Sequence, residues 1–570
     1  VTRPRFYNAL AAGAETVTVW SQLLDRINVF PVADGDTGRN LVISLAPLRK
    51  EHADTGELCR SLLLAARGNS GNIAARFLEE FVCMASLQDW AATVQRGRDE
   101  AYRAVTEPRP GTMLSFLDRL AELCRCIPSE VEVAWTTALL QSLEHAVADT
   151  VLQQPVLEQA HVVDAGALGM YLFFDGFFSC LAGTKQCFSP ARACFKECLR
   201  ISDTFIRETA AGFCIDAVLK CDGSSEAKLQ HMGESTVVMH SGEYIKVHLH
   251  APDREKAQRE LAASGRIVAW ADDDLAAQTG MFVEPGSTSV VHIMTDAAGS
   301  VTREDAAMLG IALLDSYITM GDASLPETCC SPADIYKAMR AGIPCSTAQA
   351  SLAERRQHYA GALELHASVL YLCVGSVYTG YFKTALGWKQ EHDPDNRFNI
   401  IDTGTASGRL AVAVHFAARC ARHALSIVEV ETCARTALEL AREYIFIDLL
   451  HYLAASGRLS KTGAFFGDML KFKPVISPQK DGAQKVGMVR NRSGQVRFAL
   501  ERLAEVFEAT AYGLILFQYT DNRSFVEDVT ATVQRRFPNT ELLVRPLSLT
   551  TGVHTGPGTW AVAFAPVTVR

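Results

Sequence analysis

The string NVFPVADGDTGRN sets Asp34 and Asp36 on either side of Gly35, with Gly38 following. Carboxylates at i and i+2 do not share a helix face, but in a tight glycine turn they can converge on a hard cation. Mg²⁺ needs few protein carboxylates when phosphate oxygens supply the rest of its shell. A calcium EF-hand fails on the same residues, because its fifth position would be Gly38 and its twelfth Leu45, where the loop requires oxygen ligands. A solvated surface turn rich in Asp for its turn propensity is the competing reading. A second string, AARGNSGNIAARFL, places Gly68, Asn69, Ser70 and Gly71 ahead of a helical run. Free N–H groups and a helix dipole at such a start suit an anion, or simply an N-cap. RPGTML, with Gly111 and Thr112, and VVDAGALG, with Asp164 and Gly166, are two further turns able to close around a nucleotide. No G-x-x-x-x-G-K-[ST] string occurs, so ATP would have to be held without a P-loop.

Farther along, Cys214 lies on one expected strand and His248 and His250 on another, where i and i+2 side chains share a face. Zinc accepts Cys and His in tetrahedral sites. For a fourth ligand the candidates are Asp216, Cys221, His231 and His240. An ordinary cysteine beside two partly exposed histidines is the plain alternative.

These residues need elements to hold them. Up to about residue 200, runs such as GELCRSLLLAARG and AARFLEEFVCMASL space apolar residues by three and four, predicting helices. GFCIDAVLKC, ESTVVMHS and EYIKVHLHA then alternate as strands, followed by a helical DREKAQRELAASG. VEPGSTS reads as a linker, after which VVHIMTD, SVLYLCVG and FNIIDTG alternate with helical GRLAVAVHFAARCARHA, the rhythm of an α/β fold. The expected organisation is an all-α region over residues 1–200, a small α+β domain over 201–282 and an α/β unit over 288–570. Sixteen cysteines without a C-x-x-C pair read as reduced core residues. The balance of 55 Lys and Arg against 64 Asp and Glu, a net charge of −9, argues against a nucleic-acid partner. GALGMYLFFDGFFSCLAG carries Asp175 at its centre and reads as a buried helix, not a membrane span. VTRPRFYNAL has no apolar signal core, which makes the cytoplasm the expected location.

Taken together and in order, the acidic loop and glycine turns resemble the ATP-binding domain of the dihydroxyacetone kinase L-subunit family, above all its version in bacterial fatty acid kinases. The resemblance covers roughly the first 185 residues and implies an all-helical barrel holding ATP through two Mg²⁺ ions. On that pattern Asp34 and Asp36 bind metal, with Asn28 as a third contributor. Thr37, Gly38, Asn69, Ser70, Gly71, Gly111 and Thr112 would surround the phosphates, and Asp164 with Gly166 would lie near the nucleotide. Ala33 stands where the family has proline and Arg39 where it has threonine. GFCIDAVL and YIKVHLHAPDREKA resemble the fatty acid kinase middle domain, which implies zinc on Cys214, His248 and His250. HIMTDAAGSVT, PCSTAQAS, GSVYTGYFKTA, IIDTGTASGRLA, YLAASGRLSKTG, KFKPVIS and HTGPGTWAV resemble a DegV-type fatty-acid-binding protein, an α/β fold of two subdomains around an acyl chain. Its carboxylate pocket maps onto Thr347, Ser376 and His554, with Arg458 nearby. The family's TSQPS is TAQAS here and its SGTY is TGYF, so a hydroxyl is lost at Ala348 and bulk rises at Tyr381.

The combination implies a fatty acid kinase on one chain, making acyl phosphate and ADP from ATP and a fatty acid, with Asp34, Asp36, His554 and Arg458 at the chemistry. ATP, Mg²⁺ and Zn²⁺ are the implied cofactors; a homodimer and a downstream acyltransferase are partners left open. A non-catalytic lipid carrier or sensor regulated by ATP, and a dihydroxyacetone-type kinase, remain alternatives.

Overall fold

The computed structural model describes residues 3–50, 52, 54–84, 89–125, 131–184, 188–190, 192–206, 211–220, 229, 232–276, 289–455, 472–508 and 512–566. The chain divides into two compact units, Val1–Phe282 and Val283–Arg570.

In the first unit, helices Arg3–Ile27 and Ala165–Ala182 pack along one another. Arg3–Ile27 buries Phe6, Leu10, Val17 and Leu24 at helical spacing. Ala165–Ala182 is apolar on every side and buries nearly every residue, which makes it a core helix. The Asp164 carboxylate caps its start by accepting the Ala167 N–H at 2.7 Å, and Gly183 ends it in the left-handed region. Phe174, Phe177 and Phe178 of this helix interlock with Phe77, Phe81 and Trp90, mostly in edge-to-face or tilted contacts.

Asp175 sits in this apolar setting at 1% exposure, accepting only the Phe188 N–H at 2.8 Å among described partners. Burial pushes its carboxyl up to about 7. A carboxyl raised in the folded state is protonated there while the unfolded chain ionises, so its stabilising contribution is full below about pH 4 and is lost as pH rises towards 7. Asp175→Asn should therefore gain stability relative to the parent at up to about 1.4 kcal/mol per pH unit across that window. Urea unfolding at pH 5 and 7.5 measures it; parallel pH profiles for the two proteins would refute it.

The strand-forming middle region is an antiparallel sheet in the order Glu234–Ser241, Tyr244–Ala251, Phe213–Lys220, Arg266–Asp274. Strand alternation gives it two different faces. Ile215, Ala217, Leu219, Val247 and Leu249 face one way and pack with Ala257 and Leu261 of the helix Arg254–Ser264. The opposite face is turned towards the helices: Val237 and Met239 pack on Leu63, Ala66, Ala75 and Ala104, and the Thr106 N–H bonds to the Thr236 carbonyl. Cys214, Asp216, Lys246, His248 and His250 have the parity of this second face, with Cys214 opposite His250 and Asp216 opposite His248.

The second unit is α/β. A parallel sheet runs Phe398–Asp402, Val369–Cys373, His292–Asp296, Ala312–Leu314. A mixed six-stranded sheet runs Gly482–Val489, Lys473–Gln479, Arg442–Phe446, Trp560–Ala565, Leu514–Tyr519, Glu541–Pro546, and a small antiparallel sheet joins Ala323–Pro326, Tyr317–Met320 and Cys345–Ala348. Helix Ser407–Ala421 is buried almost all round because residues from both larger sheets pack against it. Below the end of His292–Asp296, Arg355 is 1% exposed; it bonds to Asp296 at 2.7 Å and to the Asp315 carbonyl at 2.8 Å. The Tyr381 ring lies 3.6 Å from its guanidinium carbon. The added bulk at Tyr381 is thus stacked on a buried cation.

Candidate functional site

The loop between helices Arg3–Ile27 and Thr37–Leu45 carries the acidic pair, and helix Gly68–Phe81 begins beside it. Asn28, Asp34, Asp36, Thr37, Asn40, Gly68, Asn69, Ser70, Cys214, His248 and His250 line one narrow cleft with a cavity volume of about 20 Å³. The acidic loop, the glycine turn and the Cys/His set are therefore one place. Gly68 is required at its position: its φ is +60°, and a Cβ would stand 2.2 Å from the Asn40 amide nitrogen. Gly38 and Gly71 serve packing, since a Cβ would meet the Ser21 carbonyl oxygen at 2.0 Å or the Ser44 hydroxyl at 2.1 Å.

The electrostatics of the acidic pair call for a cation. Asp34 takes a 2.6 Å hydrogen bond from Asn28 Nδ2, while Asn28 Oδ1 is buried with no hydrogen-bond partner. Burial pushes Asp34 up to about 6, and burial, Asp34 and Asp25 push Asp36 well above the usual carboxylate range. A buried and a partly buried carboxylate with an idle amide oxygen make an all-oxygen donor set suited to a hard divalent ion. The Cys/His group fits a softer one. Ligand atoms of Cys214, His248 and His250 all lie within 4.8 Å of one another. His248 is 0% exposed with neither ring nitrogen hydrogen-bonded. Burial lowers His250 to about 3, leaving it the neutral imidazole a metal takes. Burial, then Asp36, raises the Cys214 thiol well above its ordinary value, so ionising it requires a cation beside it.

Of the candidate fourth ligands, Asp216 commits both oxygens, Oδ2 to the Gly68 N–H and Oδ1 to Asn72 Nδ2, each at 3.0 Å. His240 sits opposite Ile245, towards the far end of the strand pair, and Cys221 and His231 lie outside the described residues. If the Cys/His group holds zinc, elemental analysis should find about one ion per folded parent chain and a small fraction of that in Cys214→Ser; equal zinc in both proteins would move the site elsewhere.

Asp164 and Gly166 adjoin the glycine turn: a Cβ on Gly166 would stand 3.1 Å from the Ser70 hydroxyl and 3.3 Å from Met113. Burial raises Asp164 to about 7 against the opposing pull of the Ala167, Met113 and Gly166 amides. Thr112 caps the helix Met113–Leu123, its hydroxyl accepting from Leu114 N–H and donating to the Arg109 carbonyl, and Gly111 N–H donates to Ser115.

In the second unit, Thr347 Oγ1 and His554 Nε2 meet at 3.2 Å, 207 residues apart in sequence. Thr347 comes from strand Cys345–Ala348 and His554 from helix Leu549–Thr555. Beside them Ile318, Ile335, Tyr336, Met339, Leu549 and Val553 form an apolar cluster. The turn after His554 is tightly determined. Gly556 and Gly558 have φ of +85° and +84°, and a Cβ on them would meet the Tyr452 ring at 2.2 Å and the Asp448 carboxylate at 2.7 Å. The Gly558 N–H donates to Asp521 at 2.6 Å, and its carbonyl accepts from Asn522 at 2.9 Å and Arg492 at 3.1 Å. Ser376 donates its hydroxyl at 2.5 Å and its N–H at 3.0 Å to Asp402. Arg458 lies outside the described residues. Asn40, Asp402, Asp448 and Asp521 escaped the sequence reading as site residues, although Asn40 stood inside the quoted string NVFPVADGDTGRN and Asp402 inside IIDTGTASGRLA.

The geometry defines a two-part protein: a helical unit with an acidic, metal-type cleft completed by a small sheet, and an α/β unit with a hydroxyl–imidazole pair beside an apolar cluster. Family comparison agrees part by part. The DAK2 domain matches residues 31–179, the FakA-like middle domain of fatty acid kinases matches 210–282, and the DegV family of uncharacterised proteins matches 290–567. The chain carries these three domains in this order on one polypeptide, an arrangement that matches the domain architecture of fatty acid kinases. Among curated relatives, Protein YloV of Bacillus subtilis is 28% identical over 285 residues, covering 44% of this chain and 51% of that protein. An uncharacterised protein of Staphylococcus epidermidis is 26% identical over 276 residues, covering 43% and 50%. The chain thus spans about half the length of the curated relatives it matches. Solved structures similar to it include a DegV family protein from Thermus thermophilus described as fatty acid binding, at 22% identity and TM-score 0.46, covering 49% of this chain and 99% of that one. DegV from Bacillus subtilis, described as a fatty acid binding protein, has 17% identity and TM-score 0.45 over 49% and 99%.

Proposed function

We propose that this chain is a fatty acid kinase that converts ATP and a fatty acid into ADP and an acyl phosphate. The observation that carries the reading is the single cleft uniting Asn28, Asp34 and Asp36 with the Gly68–Ser70 turn, on a polypeptide that continues into a DegV domain. Asn28, Asp34 and Asp36 would hold Mg²⁺, and Cys214, His248 and His250 would hold Zn²⁺. Bound Mg²⁺ supplies charge neutralisation at the phosphates. Asn69 and Ser70, at the start of their helix, offer first-turn N–H groups to phosphate oxygens. At the acceptor, Thr347 and His554 hold the fatty acid carboxylate by hydrogen bonds while the neighbouring apolar cluster receives the chain.

The reaction needs no protein nucleophile and no general base. The acceptor carboxylate is ionised at neutral pH. One of its oxygens forms a bond to the γ-phosphorus as the bond to the β–γ bridging oxygen breaks, and ADP leaves with that electron pair. The work of the protein is to align two anions and offset their repulsion.

The test incubates the full chain with Mg-ATP, with and without palmitate, and adds hydroxylamine to trap acyl phosphate as the hydroxamate. ADP release that depends on palmitate and matches hydroxamate formation is expected. Binding of both ligands without ADP release would make the chain a carrier or sensor, and ADP release with no hydroxamate would point to another acceptor.

A further inference from the structure

Asp216 occupies a position that none of the chemistry above uses. It stands mid-strand in Phe213–Lys220, 6% exposed, two residues from Cys214 and directly opposite His248. Its Oδ2 accepts the Gly68 backbone N–H and its Oδ1 accepts Asn72 Nδ2, each at 3.0 Å. Asn72, fully buried, also donates to the Gly68 carbonyl at 2.6 Å, so both backbone polar groups of Gly68 are fixed through this one carboxylate and its amide neighbour. On the other side, Oδ1 lies 3.4 Å from His248 Nδ1 and 3.8 Å from Lys246 Nζ. A single buried carboxylate therefore touches the start of the helix that faces the cleft and a candidate ligand of the softer metal.

We propose that Asp216 is a positioning residue that locks the Gly68–Ser70 turn to the His248 imidazole, so that metal binding at Cys214, His248 and His250 orders the turn that receives phosphate. This rests on the reading of the cleft as a site for metal and nucleotide. Carboxylates behind metal-bound imidazoles orient the ring; here the same carboxylate also fixes a backbone turn, which makes the two sites energetically linked and the linkage reciprocal.

The experiment uses the full chain, stripped of metal with a chelator, and two probes: zinc alone and Mg-ATP. In the parent, zinc should slow amide hydrogen exchange at Gly68–Ser70 and tighten Mg-ATP by roughly tenfold, and Mg-ATP should tighten zinc by the same factor. Asp216→Asn keeps the shape but sets an amide against the donors of Gly68 and Asn72; in it the factor should fall to near one. Asp216→Glu should restore most of it. Asn72→Ala, which cuts the link on the helix side, should decouple the sites as well and serves if Asp216→Asn does not fold. A parent that binds both probes without coupling, or variants that retain the coupling, would overturn the proposal alone. A parent that binds neither would overturn the reading of the cleft and the proposal together.

Discussion

Asp36→Asn should slow fatty-acid-dependent ADP release by roughly three orders of magnitude, equivalent to about 4 kcal/mol of transition-state stabilisation. The change removes one of two carboxylates facing the cleft and leaves shape intact. The Asp36 side chain makes no capping hydrogen bond to Thr37–Leu45, and the Asn40 N–H bonds to the Asp36 backbone carbonyl, so the start of that helix does not depend on the carboxylate. Burial beside Asp34 already disfavours the Asp36 charge in the metal-free protein, so the variant should be at least as stable as the parent without metal. On the proposed function, fatty acid binding belongs to the other unit and should be unchanged. The decisive measurement is a coupled ADP assay alongside a fluorescent fatty acid titration; an undiminished rate would remove Asp36 from the metal site.

His554→Ala should act on the acceptor alone. Loss of a hydrogen bond to a charged group is worth about 1.5–3 kcal/mol, so kcat/KM for the fatty acid should fall roughly 10- to 100-fold. The KM for ATP should not move. Because Thr347 and His554 are in contact at 3.2 Å, Thr347→Val combined with His554→Ala should cost less than the two single losses added together. A normal rate in His554→Ala, or a changed ATP KM, would place the acceptor elsewhere.

Much of the architecture was readable from periodicity. GFCIDAVLKC, ESTVVMHS and EYIKVHLHA became the strands Phe213–Lys220, Glu234–Ser241 and Tyr244–Ala251, and the helical stretch after them became Arg254–Ser264. The fourth strand of that sheet, Arg266–Asp274, was not expected; it ends in three aspartates, residues depleted in strands, and lies at the sheet edge with most positions partly or fully exposed. The acidic pair was legible because its chemistry is local, two carboxylates around one glycine. The meeting of that pair with Cys214, His248 and His250 was not, because alternation says that side chains share a face without saying what the face looks upon. The packing of Val237 and Met239 on the helices, with the Asp216 bonds to Gly68 and Asn72, turns it towards the cleft. Ser376 shows a different limit: the family pattern supplied its hydroxyl, but not the Asp402 carboxylate, 26 residues on, that accepts from it.

The turn after His554 has a thermodynamic meaning for recognition. With two residues in mirror-image backbone conformations, Tyr452 and Asp448 abutting them and Asp521, Asn522 and Arg492 holding one peptide, the freedom of that segment is surrendered once, when the polypeptide collapses. An incoming guest then meets a wall already set, so differences in its affinity should reflect its own fit and dehydration with little contribution from ordering the host.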